Sequence, residues 1–117
     1  MQTEKLSQKK CVPCEGIQKP FERTKALEYM ISVPGWELDA NAKLISRAYR
    51  VKNFMTAIQF FQDIAKIAEG ENHHPDLQLT GYRHVKIVLS THAIGGLSEN
   101  DFILASKINE IPVELKK

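Results

Sequence analysis

Between Asn53 and Gly70 the residues Phe54, Ala57, Ile58, Phe61, Ile64, Ala65 and Ala68 recur at i, i+3, i+4, i+7, i+10, i+11 and i+14. That spacing lines one face of an α-helix. Asn53 is suited to cap its start and Gly70 to end it. A long helix with one apolar face must be covered by another layer, and 117 residues with 43% hydrophobic content make one ordinary domain. Phe60 and Ile67, seven residues apart, fall off the stripe as a second apolar strip. Such a strip serves either self-association or cover by a neighbouring loop.

Shorter elements flank this helix. Pro20 and the apolar Leu27, Met30 and Ile31 before Pro34-Gly35 predict a first helix near 20–32. Trp36–Asp39 and Leu44–Val51 read as two strands of a hairpin around Ala40–Lys43, with Ile45, Arg47, Tyr49 and Val51 sharing one face. After His73-His74-Pro75, alternation at Leu77 and Leu79 and then at Val85, Ile87 and Leu89 predicts two more strands, with Gly81 near the bend. Ser98 and Asp101 resemble a capping box ahead of a third helix carrying Leu104, Ala105, Ile108 and Ile111, which Pro112 ends. The order α-β-β-α-β-β-α favours an α+β domain, a four-stranded antiparallel sheet with three helices on one face. Residues 1–18 lack periodic apolar positions and read as a flexible arm, leaving 19–117 as the single domain.

Charge excludes some partners. Sixteen Lys and Arg against 14 Asp and Glu leave +2, too even a balance for gripping nucleic acid. Gln59, Gln62, Asp63 and Lys66 interrupt the most apolar stretch long before a membrane could be spanned, and the first residues are too polar for a signal peptide. Cys11 and Cys14 are too close to bridge a long loop. A cytoplasmic, reducing location fits these features.

The chemistry concentrates in histidines. His73 and His74 follow the long helix and His92 follows the last strand, so three imidazoles bracket one strand pair. Imidazole exchanges protons near neutral pH, and loops at sheet ends commonly carry such groups. A proton-transfer site is the sharper reading; local hydrogen bonding ahead of Pro75 is the plainer one. Glu69, Glu71 or Asp76 could complete a zinc site, but the His-Glu-x-x-His spacing is absent and adjacent side chains diverge. Ser90, Thr91 and Ser98 lack a Gly-x-Ser-x-Gly elbow, and Gly95-Gly96 lacks the Gly-Lys-Ser/Thr ending of a phosphate loop and reads as a turn. His84 reads as solvated.

Glu69, His73-His74-Pro75, Tyr82, His92 and Asp101, in this spacing, resemble the signature of the pterin-4a-carbinolamine dehydratases. The likeness extends to Gly35-Trp36, Lys52-Asn53-Phe54, Leu89-Ser90-Thr91-His92 and Gly96-Leu97-Ser98, covering roughly residues 20–111. It implies the same α+β fold and dehydration of 4a-hydroxytetrahydropterin to quinonoid dihydropterin, which recycles pterin for aromatic amino-acid hydroxylases. No metal or cofactor is implied. His73 and His92 match the family's acid/base pair, and His74 the position that holds the pterin. Pro75 is expected beside the substrate and Trp36 either there or as a core aromatic, with Glu69, Asp101 and Tyr82 in support.

Two departures accompany the likeness. Ala93 stands where family members often carry an acidic residue after the third histidine, and Cys11-Val-Pro-Cys14 resembles a segment of some bacterial members. That segment is open to three readings: half a zinc site, a redox pair or an inert arm. A homodimer or homotetramer is the expected assembly. The competing function is a binding module, either the dimerisation cofactor of a homeodomain transcription factor or a structural subunit.

Overall fold

The computed structural model describes residues 6–12 and 19–117. In chain order its regular elements are α1 (Arg23–Met30), β1 (Glu37–Leu38), β2 (Ile45–Arg50), α2 (Phe54–Glu71), β3 (Asp76–Thr80), β4 (His84–Leu89) and α3 (Glu99–Asn109), with short 3-10 turns at Leu6–Gln8 and His92–Ile94. The four strands form one antiparallel sheet in the order β1-β2-β4-β3. The expected α+β class, element order and strand pairing are all present. β4 inserts between β2 and β3, so α2 carries the chain across the position of the sheet that β4 then turns back to fill. Ile45, Tyr49, Val85, Ile87 and Leu89 are buried on one face, whereas Ala48, Arg50, His84 and Lys86 on the other are exposed. That one-sided burial is what alternating sequences of this kind produce.

The long helix begins as expected, with Asn53 Oδ1 accepting from the Thr56 amide at 2.9 Å. Its end differs. Gly70 lies inside α2 and the chain leaves the helix at Asn72, in the left-handed region at φ 52°. The Asn72 N–H donates to Glu69 O at 3.3 Å and the His73 N–H to Ala68 O at 3.1 Å. These two bonds are the paired closure by which a left-handed residue satisfies the last helical carbonyls. Asparagine tolerates that conformation better than most residues, so the stop signal was one that a search for glycine overlooks.

The buried stripe of α2 also departs from expectation. It consists of Ala57, Phe60, Ile64 and Ala68, with Phe61 and Ile67 at the core margin and Phe54 half-exposed. Phe60 is 2% exposed, its ring meeting Tyr49 of β2 edge-on at 4.9 Å between centroids. Of the strip offered either for self-association or for cover by a neighbouring loop, Phe60 is therefore core and Ile67 lies at its margin. Both candidate stripes share Ala57, Ile64 and Ala68, so periodicity alone could not choose between Phe60 and Phe61; the aromatic ring on the facing strand does.

The segment read as an arm outside the core contributes to it at Leu6, which is 4% exposed and packs with the main cluster. One anchoring leucine leaves no periodic trace. Cys14 lies outside the described residues.

Replacing Phe60 with Ala is expected to cost about 3–5 kcal/mol of unfolding free energy, and Phe61→Ala about 1–2 kcal/mol, in urea titrations. Equal costs would contradict the assignment of Phe60 to the core. A second expectation concerns Asp39, whose Oδ1 accepts from the amides of Lys43 at 2.7 Å and Leu44 at 2.9 Å. Desolvation opposes its ionisation, but these N–H donors outweigh it and hold the carboxyl below its usual range. A carboxyl whose folded pKa is depressed stabilises the fold above its unfolded pKa, and that support fades as pH falls through the folded value. The Lys43 and Leu44 amide resonances should therefore titrate together below about pH 4, and lose that transition in Asp39→Ala.

Candidate active site

The β3–β4 register decides what meets at one end of the sheet. Asp76, the first residue of β3, pairs with Val88, next to the last residue of β4. The loop entering β3, with His73, His74 and Pro75, therefore lies beside the loop leaving β4, with Thr91 and His92. The exit loop is itself closed: the Thr91 N–H donates to Gly96 O at 2.8 Å. Gly96 permits a close approach there, because a Cβ at this position would come within 2.7 Å of the Pro20 ring.

A buried carboxylate ties the two loops together. Asp101, 0% exposed in the first turn of α3, places Oδ1 2.7 Å from His73 Nε2. Its Oδ2 accepts from the Thr91 hydroxyl at 2.8 Å and from the Ser98 amide at 3.0 Å. Thr91 has spent its only proton on the carboxylate, so Ser98 Oγ, 2.8 Å away, donates to Thr91 Oγ1. An acceptor-only Asp101 fixes the His73 tautomer as well. Nε2 carries the hydrogen, and Nδ1 keeps the lone pair in the neutral ring. His73 is 5% exposed, so this orientation is held by packing as well as by the bond.

The other two histidines are exposed. His74 Nε2 pairs with Glu69 Oε2 from the last turn of α2. His92 opens the 3-10 turn, and no hydrogen bond to its ring is found among the described residues. Pro75 is half-buried between His74 and β3. Among the described residues no three His, Cys, Asp or Glu side chains converge as a metal site. Burial, then the Glu71 and Asp101 carboxylates, push the Cys11 thiol up to about 12. At neutral pH it stays a neutral thiol, a poor nucleophile and metal ligand.

Comparison with known proteins gives this geometry a family. The profile described as pterin 4 alpha carbinolamine dehydratase matches residues 19–111. The chain belongs to the pterin-4a-carbinolamine dehydratase family. It is 51% identical over 112 residues to the Arabidopsis thaliana protein named pterin-4-alpha-carbinolamine dehydratase 2, mitochondrial, covering 93% of this chain but only 60% of that relative. A Halorhodospira halophila protein provisionally assigned the dehydratase name is 42% identical, with 91% of this chain and 96% of that one aligned. The solved structure of a transcriptional coactivator/pterin dehydratase from Brucella melitensis superposes with a TM-score of 0.71 at 30% identity, over 78% of this chain and 96% of that one. A pterin dehydratase-like protein described as a RuBisCO assembly factor in the alpha-carboxysome shares the fold at a TM-score of 0.54 and 17% identity, over 64% of this chain and 86% of that one.

Not every residue of the dehydratase signature reaches this end of the sheet. Tyr82 occupies the β3–β4 turn, in the left-handed region at φ 57°, at the opposite end of the hairpin. Strand geometry puts it roughly 20 Å away within one chain. Trp36 is a core aromatic whose Nε1 donates to Asn109 Oδ1 at 2.8 Å. Asn109 ends α3, about 12 Å along the helix from Asp101. Thr91 and Ser98 were within the resembling segments without an assigned role, although both are buried polar residues holding Asp101.

Removing the hub carboxylate leaves a ring nitrogen, a hydroxyl and an amide without their acceptor. Asp101→Ala should therefore lose about 2–4 kcal/mol of stability, measured by urea unfolding, and Asp101→Asn less. A loss below about 0.5 kcal/mol would mean that water replaces the carboxylate freely.

Proposed function

We propose that the protein dehydrates 4a-hydroxytetrahydropterin to quinonoid dihydropterin, using His73 and His92 as the general acid/base pair. The supporting observation is the His73–Asp101–Thr91 chain, which bonds the loop before β3 to the loop after β4. The family membership and the dehydratase names of the relatives give the reaction class. In the reaction the C4a–O bond breaks and the hydroxyl leaves as water after accepting a proton. N5 gives up its proton, and the electron pair released forms C4a=N5. One imidazolium and one neutral imidazole supply this exchange, and the same pair can exchange roles in the reverse direction.

His73 is suited to this task because Asp101 holds its Nε2–H, leaving Nδ1 for the proton exchange and stabilising the imidazolium when it forms. His92, exposed and on a closed turn, is the second group. His74, held by Glu69, and Pro75 are assigned to substrate binding. Trp36 is left out of the pterin contacts, and Tyr82 out of the supporting residues. No metal or cofactor enters this reading.

Recycling of pterin for an aromatic amino-acid hydroxylase is the role this reaction would serve. Homo-oligomer formation belongs to the same proposal, with Met55, 70% exposed, and Phe54 at the start of α2 replacing Phe60 and Ile67 as its apolar surface. No helix among the described residues is long and apolar enough to cross a membrane. A reducing, cytoplasm-like compartment goes with the proposal, beside an Arabidopsis relative whose name says mitochondrial. The coactivator in the name of the Brucella protein motivates the second reading, a protein-binding module without turnover.

Purified protein supplied with enzymatically generated 4a-hydroxytetrahydropterin should accelerate its decay. His73→Ala and His92→Ala should each lose roughly 10²-fold or more of that rate, while His84→Ala, on the exposed face of β4, keeps it. A wild-type rate equal to spontaneous decay would hand priority to the binding-module reading.

A further inference from the structure

The segment Leu6–Val12 lies outside the matched family region, yet its contacts converge on the neighbours of the two residues that form the buried pair. The Cys11 N–H donates to Glu71 Oε1 at 2.7 Å. The Val12 N–H donates to Asn100 Oδ1 at 3.0 Å, and Asn100 Nδ2 returns a bond to Val12 O at 2.8 Å. Glu71 stands two residues before His73, and Asn100 one residue before Asp101. Two consecutive residues of the segment thus bridge the same two elements, the end of α2 and the start of α3, that His73 and Asp101 bridge. Asn100 is 1% exposed and both ends of its amide are engaged by one peptide backbone, as a neighbouring strand would engage it. The segment is fixed further along by Leu6 in the core, by Lys107 Nζ donating to Ser7 O at 2.7 Å and by a Lys9–Glu99 ion pair at 3.1 Å.

We infer that residues 6–12 form a strap that positions the His73–Asp101 pair, with Glu71 and Asn100 as its positioning residues; the catalytic part of this inference rests on the proposed dehydratase reading. The physical argument is one of lever arms. The 2.7 Å contact between His73 and Asp101 joins side chains from two helical ends, and its geometry depends on how far apart those ends stand. Without the strap a buried amide at Asn100 and a largely buried carboxylate at Glu71 lose their backbone partners, and the two ends shift to regain water. Ångström-scale displacements of this kind are enough to disturb a proton-transfer geometry.

The test uses the full chain. Leu6→Ala releases the strap from its far end, Glu71→Ala removes one bridge, and Glu71→Gln keeps an acceptor for the Cys11 N–H and serves as rescue. Seating is measured by alkylation of Cys11 in a Cys14→Ser background, which should accelerate at least tenfold in Leu6→Ala. Positioning is measured without substrate, from the ¹⁵N and ¹H shifts of the His73 imidazole at fixed pH. Leu6→Ala and Glu71→Ala should move those signals while His84 stays in place, and Glu71→Gln should restore them. In turnover, kcat should fall about tenfold with KM changed less than twofold. Unmoved His73 signals in both released variants, even with a lower Tm, would overturn the inference and make the segment a stabilising strap only. If the wild-type chain shows no turnover, the dehydratase reading fails, and the imidazole shifts still decide the positioning.

Discussion

The Asp101 carboxylate is the interaction on which the site end of the fold depends. A carboxylate in the first turn of a helix ordinarily needs no more explanation than its favourable place on the helix dipole and its bond to the N-cap amide. Here that use occupies only one oxygen, shared with Thr91, and the other faces His73. The start of α3, the exit of β4 and the exit of α2 are thereby held by a single group with no exposure to solvent. A buried acceptor with three donors is stable as a complete set and costly when any member is missing. This all-or-none property turns a helix cap into a frame for an imidazole.

The sheet order explains why such a frame is possible. With β4 between β2 and β3, the hairpin register fixes which residues of the two flanking loops are neighbours, independently of the helices. The same register sends the β3–β4 turn, with Tyr82, to the far end. A fold built this way does not dictate chemistry. The RuBisCO assembly factor shares the architecture at 17% identity, and function follows from the side chains placed on the loops.

Much of this was legible in the sequence, and the failures have identifiable causes. Strand alternation, the α2 periodicity and the Ser98/Asp101 spacing led to the element order because each is a local signal. The choice between Phe60 and Phe61 was not local; it depends on Tyr49, which contacts Phe60 from another element. The end of α2 was misplaced by two residues because Asn72 supplies the left-handed conformation expected of Gly70. The strap was invisible for a related reason. Leu6 is a lone apolar residue, and the partners of Cys11 and Val12, Glu71 and Asn100, are roughly 60 and 90 positions away in sequence. Histidine spacing pointed to the end of the sheet where the loops carrying His73, His74 and His92 lie, but the dual engagement of Asp101 could be seen only in three dimensions.

The misplaced helix end bears directly on how two adjacent histidines come to differ. Because Asn72 turns the chain and the His73 N–H closes on Ala68 O, His73 starts an extended stretch with its backbone already fixed. Successive side chains in extended backbone point to opposite sides. His73 is therefore directed inward to Asp101, and His74 outward to Glu69. One ring receives a buried carboxylate and a fixed tautomer; the other remains in solvent beside an exposed carboxylate. Two identical residues, separated by one peptide bond, thus acquire different environments from a single left-handed asparagine. The proposed proton exchange suits the ring whose second nitrogen is held, and the proposed substrate contact suits the ring that stays accessible.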